Sequence, residues 1–100
     1  MARINLGSGK WFDPQRAEQW GEKTRWDGSN HISVPTGSQW EHEELYRSRS
    51  GTWILHEWSQ WQGAGESYRI IDADTARQWL IDNDRDVDEA FPGALAASEV

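Results

Sequence analysis

The chain has no cysteine, so disulfides, iron–sulfur clusters, cysteine-bearing zinc sites and cysteine nucleophiles are excluded. Proline is scarce, three in 100 residues. No apolar run approaches the roughly 20 residues of a membrane-spanning helix. The opening MARINLGSGKWF carries one early arginine without the apolar stretch of a signal peptide, which leads to the expectation of a cytoplasmic protein that does not engage a membrane. Bases are also few, ten against seventeen acids, for a net charge of −7. That balance disfavours non-specific contact with phosphate backbones, and with double-stranded DNA in particular.

Tryptophan, by contrast, is abundant. Eight tryptophans, two tyrosines and two phenylalanines concentrate apolar area in a chain with 36% hydrophobic and 27% charged residues. One hundred residues suit one domain with one modest core. The charge is uneven: residues 1–71 carry nine acids against eight bases, whereas residues 72–100 carry eight against two. The C-terminal third is an acidic module, suited to solubility or to a basic protein surface.

Punctuation along the chain predicts an α+β fold, an antiparallel β-meander of about three to five strands packed against a C-terminal helix. Residues 1–9, with Gly7, Ser8 and Gly9, read as a flexible N-terminus, residues 10–91 as the single domain, and residues 92–100 as a mobile tail. Lys10, Trp11 and Phe12 suit a short strand. Asp13-Pro14 suits a turn or a helix start, with a one- to two-turn helix over residues 15–20 ended by Gly21. Residues 23–38, punctuated by Asp27-Gly28, Pro35 and Thr36-Gly37, read as a strand, a tight turn and an irregular or extended linker. Strands are predicted over residues 39–47, 52–61 and 67–71, with a further turn at Gly63, Ala64 and Gly65.

Residues 48–51 join the two central strands. If Arg47 faces Thr52, Tyr46 lies opposite Trp53, Glu43 opposite His56 and His42 opposite Glu57; a slip of one residue changes every pair and every face. Asp72 or Asp74 can cap a helix over residues 75–83 whose stripe is Ala76, Trp79 and Leu80, with Ile81 at its flank. Val87, Ala90 and Phe91 then suit a short acidic turn or helix, interrupted at Pro92-Gly93.

Several chemistries can be weighed on this frame. His42, Glu43, His56 and Glu57 offer imidazole and carboxylate groups on one hairpin, which makes His42 and His56 candidate metal ligands and the four together a candidate small-ligand or enzymatic site. Alternation along a strand, however, sends His42 and Glu43 to opposite faces, and likewise His56 and Glu57. Glu41, Glu43, Glu44 and Glu57 beside tryptophan also suit the wet and dry faces of an ordinary hairpin as well as they suit a sugar-cleaving cleft. Ser33, Ser38, His31 and His42 lack a nucleophile elbow, and LGSGK is too short for a phosphate-binding loop. No catalytic residue and no cofactor is assigned.

Arg47, Arg49 and Arg69 near Tyr46, Trp53, Trp58 and Trp61 would suit a single-stranded nucleic acid through stacking beside cations. Protein binding accommodates the composition better. Eight tryptophans exceed what a small core readily hides, and tryptophan, tyrosine and arginine dominate interface hot spots. The expected function is therefore that of a non-catalytic accessory or regulatory protein, with Tyr46, Arg47, Trp58 and Trp61 as interface residues toward a protein partner or a second copy.

The stretches LYRSRSGTWILHEW and ESYRIIDADTARQWLIDND resemble a family of small uncharacterised bacterial proteins. Their middle reads ETLYR…G.YFL, and their end is an acidic turn followed by an A..W helix. The matching positions are Glu44, Leu45, Tyr46, Arg47, Gly51, Trp53 and Leu55, then Ala76 and Trp79. KWFDPQRAEQW is similar to the family's opening YDT.TA segment. Trp53 and Ile54 stand where the family has Tyr-Phe, and HEWSQWQG replaces a glycine-rich stretch. The resemblance implies a compact accessory protein and carries no catalytic role.

Overall fold

A computed structural model of the chain describes residues 2–61, 65–97 and 99. It is a sheet-dominated α+β fold whose strand pairs are all antiparallel, with a C-terminal helix. β1 (Ile4–Gly7) and β2 (Lys10–Phe12) form a hairpin closed by Ser8 and Gly9. Both loop residues have positive φ, 54° and 76°, as a type I′ turn requires. Strand structure thus begins within the segment read as a flexible lead-in.

Asp13 caps a single 3-10 turn, Pro14–Arg16, by accepting the Gln15 N–H at 3.0 Å. The helix expected over residues 15–20 stops there. Ala17 is extended, and β3 (Glu18–Gly21) pairs with a central strand over all four residues. Trp20 then packs against Trp53, ring centroids 5.5 Å apart. Ladder bonds and ring burial outweigh one further turn of isolated helix. β4 (Thr24–Trp26) and β5 (His31–Ser33) make a small separate hairpin. At its turn the Asp27 carboxylate accepts the N–H groups of Ser29 and Asn30, which holds its pKa below the usual value.

The meander is β6 (Glu41–Arg47), β7 (Trp53–Ser59) and β8 (Ser67–Ile71), and the four-stranded sheet runs β3-β6-β7-β8. Of the turn expected before β8, Gly63 and Ala64 lie outside the described residues.

The β6/β7 register differs by one residue from the expected one, because the loop is shorter. Ser48 N–H donates to Thr52 O at 2.8 Å and Gly51 N–H to Ser48 O at 2.9 Å, leaving Arg49, Ser50 and Gly51 as a three-residue loop with Gly51 at φ 92°. A turn followed by a glycine of positive φ is the usual way three residues close a hairpin. Arg47 therefore faces Trp53, Glu44 faces His56, Glu43 faces Glu57 and His42 faces Trp58.

The pleat then sorts the side chains. Leu45, Trp53, Leu55 and Ile71 form one core with Ala76, Trp79 and Leu80 of α1 (Ala73–Asp82), Val87 of α2 (Val87–Ala90) and Ala94 of α3 (Ala94–Ala97). The predicted stripe of α1 is the buried one, and Asp72 caps the helix by accepting the Thr75 N–H at 2.7 Å. On the other face Tyr46 and Ile54 pack with Phe12, flanked by Ile4, Leu6, Ala17 and Tyr68. The sheet is thus covered twice, by helices on one side and by the β1/β2 hairpin on the other. Each large apolar side chain so buried contributes roughly 1.5–3 kcal/mol.

Candidate functional site

The corrected register brings His42 and His56 to the same face and sends Glu43 and Glu57 to the other. The four residues therefore do not converge on one site. On the histidine face, four rings form a column. The His56 ring stacks on Tyr68, centroids 4.1 Å apart with planes 2° from parallel, and on Trp58 at 4.7 Å. His42 continues the column, 5.6 Å from Trp58.

Carboxylates bracket the column. His42 Nδ1 lies 2.7 Å from Glu22 Oε1, His56 Nδ1 lies 2.7 Å from Glu44 Oε1, and His56 Nε2 lies 2.8 Å from Glu66 Oε2. Glu44 is further held by the Tyr46 hydroxyl, which donates to Oε1 at 2.9 Å, and by the Gln19 side-chain N–H, which donates to Oε2 at 2.6 Å. Burial pushes the Tyr46 hydroxyl pKa up, and the bond to Glu44 pushes the same way; burial raises Tyr68 as well. Both nitrogens of His56 are thus committed to carboxylates. His42 Nε2 and Glu22 Oε2 are buried with no hydrogen-bond partner. Among the described residues no three or more His, Asp or Glu side chains come together in a way that could hold a metal ion.

On the helix face, Glu43 Oε1 accepts the Trp79 indole N–H at 2.6 Å. Burial raises the Glu43 pKa above its ordinary value; the Trp79 bond opposes the shift, while the negative charges of Glu57 and Glu22 add to it. Glu57, directly across the ladder from Glu43, is engaged by Arg69 Nε at 2.7 Å. The helix face is a braced polar margin of the core.

The expected interface residues separate. Tyr46 is 7% exposed and belongs to the core. Arg47 is half-buried, its guanidinium 5.2 Å from the Trp53 ring centroid and its Nε donating to Glu18 at 3.0 Å. Trp58 is half-buried in the ring column. Trp61 is 59% exposed, and its ring lies 4.8 Å from that of Trp40, itself 40% exposed. Trp40 joins Trp61 because β6 and β7 end together: Gln60 N–H donates to Trp40 O at 2.8 Å, and Ser38 and Ser59 hydroxyls accept the Trp40 and Trp61 N–H groups.

The three arginines suggested for nucleic acid do not line one groove. Arg47 is paired with Glu18 and Arg69 with Glu57, on strands separated by Trp53 and Leu55 of β7, while Arg49 stands at the hairpin tip. No family model, curated protein or solved structure matches the chain. No described helix is long and apolar enough to cross a membrane.

Proposed function

We propose that this chain is a non-catalytic accessory or regulatory protein of the bacterial cytoplasm that acts by binding another protein. The contact surface is the end of the β6/β7 ladder at Trp40, Trp58 and Trp61. The observation that carries this reading is the pair of exposed, mutually packed indoles of Trp40 and Trp61, anchored by backbone bonds to the sheet. Rigid indoles lose little side-chain freedom on binding and recur in the centres of protein interfaces. The likeness of the hairpin and the α1 segment to small bacterial proteins supports the accessory role, and the cysteine-free composition suits the cytoplasm.

The test is capture of tagged wild-type protein and of Trp61→Ala and Trp40→Ala from a nuclease-treated bacterial lysate, with matched far-UV spectra showing that the variants fold. A protein retained after nuclease and lost from both variants is the expected result. Capture unaffected by either substitution, or abolished by nuclease alone, would overturn it. A concentration-dependent dimer that both substitutions dissociate would make a second copy the partner.

A further inference from the structure

At the opposite end of the β6/β7 ladder, the three-residue loop leaves Ser48, Arg49 and Ser50 standing beside β2 and the 3-10 turn. Between them lies a hollow of about 240 Å³, lined by Trp11, Asp13, Arg16, Ser48, Arg49 and Ser50. Phe12, buried, contributes its floor. Two neighbouring depressions share its residues and add Lys10 on one side and Arg47 on the other.

Three properties come together at this end of the molecule. First, its charge is inverted: Lys10, Arg16, Arg47 and Arg49 stand against Asp13 and Glu18 in a chain of net charge −7. Second, part of that positive charge is uncommitted. Arg47, Arg69, Arg77 and Lys23 are paired with carboxylates and Arg85 with carbonyl oxygens, whereas Lys10 and Arg49, like Arg3 and Arg25 elsewhere, have no such partner among the described residues. Arg16 Nε makes a long ion pair with Asp13 Oδ2 at 3.7 Å, and the other Asp13 oxygen accepts the Gln15 N–H. Third, Trp11 is 50% exposed at the wall, and the Ser48 and Ser50 hydroxyls sit 3.0 Å apart at the rim.

We propose that this hollow binds a phosphate monoester carried on a flat ring, the chemistry of a nucleoside monophosphate. Arg49 and Arg16 take the phosphate with charge-assisted hydrogen bonds, the serine hydroxyls complete its shell, and the Trp11 indole stacks on the base. Beyond Lys10 and Arg47 the positive charge does not run on to Arg69 of β8, which is paired with Glu57 of β7. One nucleotide, free or at the end of a strand, therefore fits the charge better than a polynucleotide track. The site is separate from the Trp61 end, so it stands or falls independently of the partner proposed there.

The experiment is titration of the full, isotope-labelled chain with adenosine monophosphate, adenosine, ribose 5-phosphate, inorganic phosphate and a 5′-phosphorylated tetranucleotide, followed by amide and indole NMR shifts. Saturable shifts of the Trp11 indole N–H and of the Ser48, Arg49 and Ser50 amides are expected with adenosine monophosphate. Weaker binding is expected for adenosine and ribose 5-phosphate alone. Arg49→Gln and Arg16→Gln should each weaken binding about tenfold or more, the cost of losing a charge-assisted bond. Trp11→Ala should reduce affinity for adenosine monophosphate while sparing the response to ribose 5-phosphate. Tighter binding of the tetranucleotide than of the monophosphate assigns the site to strand ends, and equal or weaker binding assigns it to the free nucleotide. The absence of saturable shifts at low-millimolar ligand, or shifts unchanged in both arginine variants with native spectra, overturns the proposal.

Discussion

Glu43 shows how one atom-level contact sets the terms for its neighbours. Its carboxylate is held against the Trp79 indole N–H, and burial prevails over that bond to raise its pKa above the ordinary 4.5. The folded chain therefore binds this proton more tightly than the unfolded chain does. The contribution to stability is complete below about pH 4.5 and is lost as pH rises through the raised folded value. Glu43→Gln keeps an oxygen for the indole N–H and removes the charge. Its urea midpoint should exceed that of the wild type at neutral pH, and the gap should close as the pH falls toward 4.5; a lower midpoint at pH 7 contradicts the assignment. Trp79 was legible in the sequence, because helical spacing with Ala76 and Leu80 marks it as buried. Its partner was not, since which β6 side chain reaches the helix layer depends on how the strands stack. Likewise the sequence marks Trp61 as a surface ring but not its packing on Trp40, and Tyr46, expected at an interface, is covered by Phe12.

The elements divide by whether their signals are local. Asp72 before α1, Asp13-Pro14 before the 3-10 turn and the strands around residues 53–59 and 67–71 follow from capping, turn and β-branched or aromatic residues, and they appear where expected. The register does not, because one residue in the loop shifts the whole ladder. Gly51 is the decisive position. At φ 92° it holds a conformation that disfavours any side chain, with open space where a Cβ would go, so strain alone separates glycine from alanine there. Gly51→Ala should cost about 1–2 kcal/mol in urea denaturation, and an unchanged midpoint would show that the loop relaxes to another turn. β3 is the complementary case. Residues 15–20 favour a helix in isolation, and only pairing with β6 and contact between Trp20 and Trp53 explain the strand.

At the scale of the molecule, the α+β class and the C-terminal helix were readable, because residues 72–100 carry both the acids and the helical stripe. The second cover of the sheet was not, since Gly7, Ser8 and Gly9 suggest slack until Ile4, Leu6 and Phe12 are seen on the face opposite the helices. Phe12, 5.3 Å from Tyr46 and 6.0 Å from Tyr68 by ring centroid, ties that cover down. Phe12→Ala should therefore lose about 3–5 kcal/mol, on the scale of Leu80→Ala, in a single unfolding transition. A loss near zero, or an early separate transition, would make the β1/β2 hairpin a detachable arm. β8 closes one side of the sheet, and between Tyr68 and the isoleucines 70 and 71 it carries Arg69, bonded to Glu57 and still exposed. A charge in the middle of an outermost strand hinders another chain from adding to it. By that rule Arg69 disfavours edge-to-edge pairing on a strand whose other residues, Tyr68, Ile70 and Ile71, are strand formers.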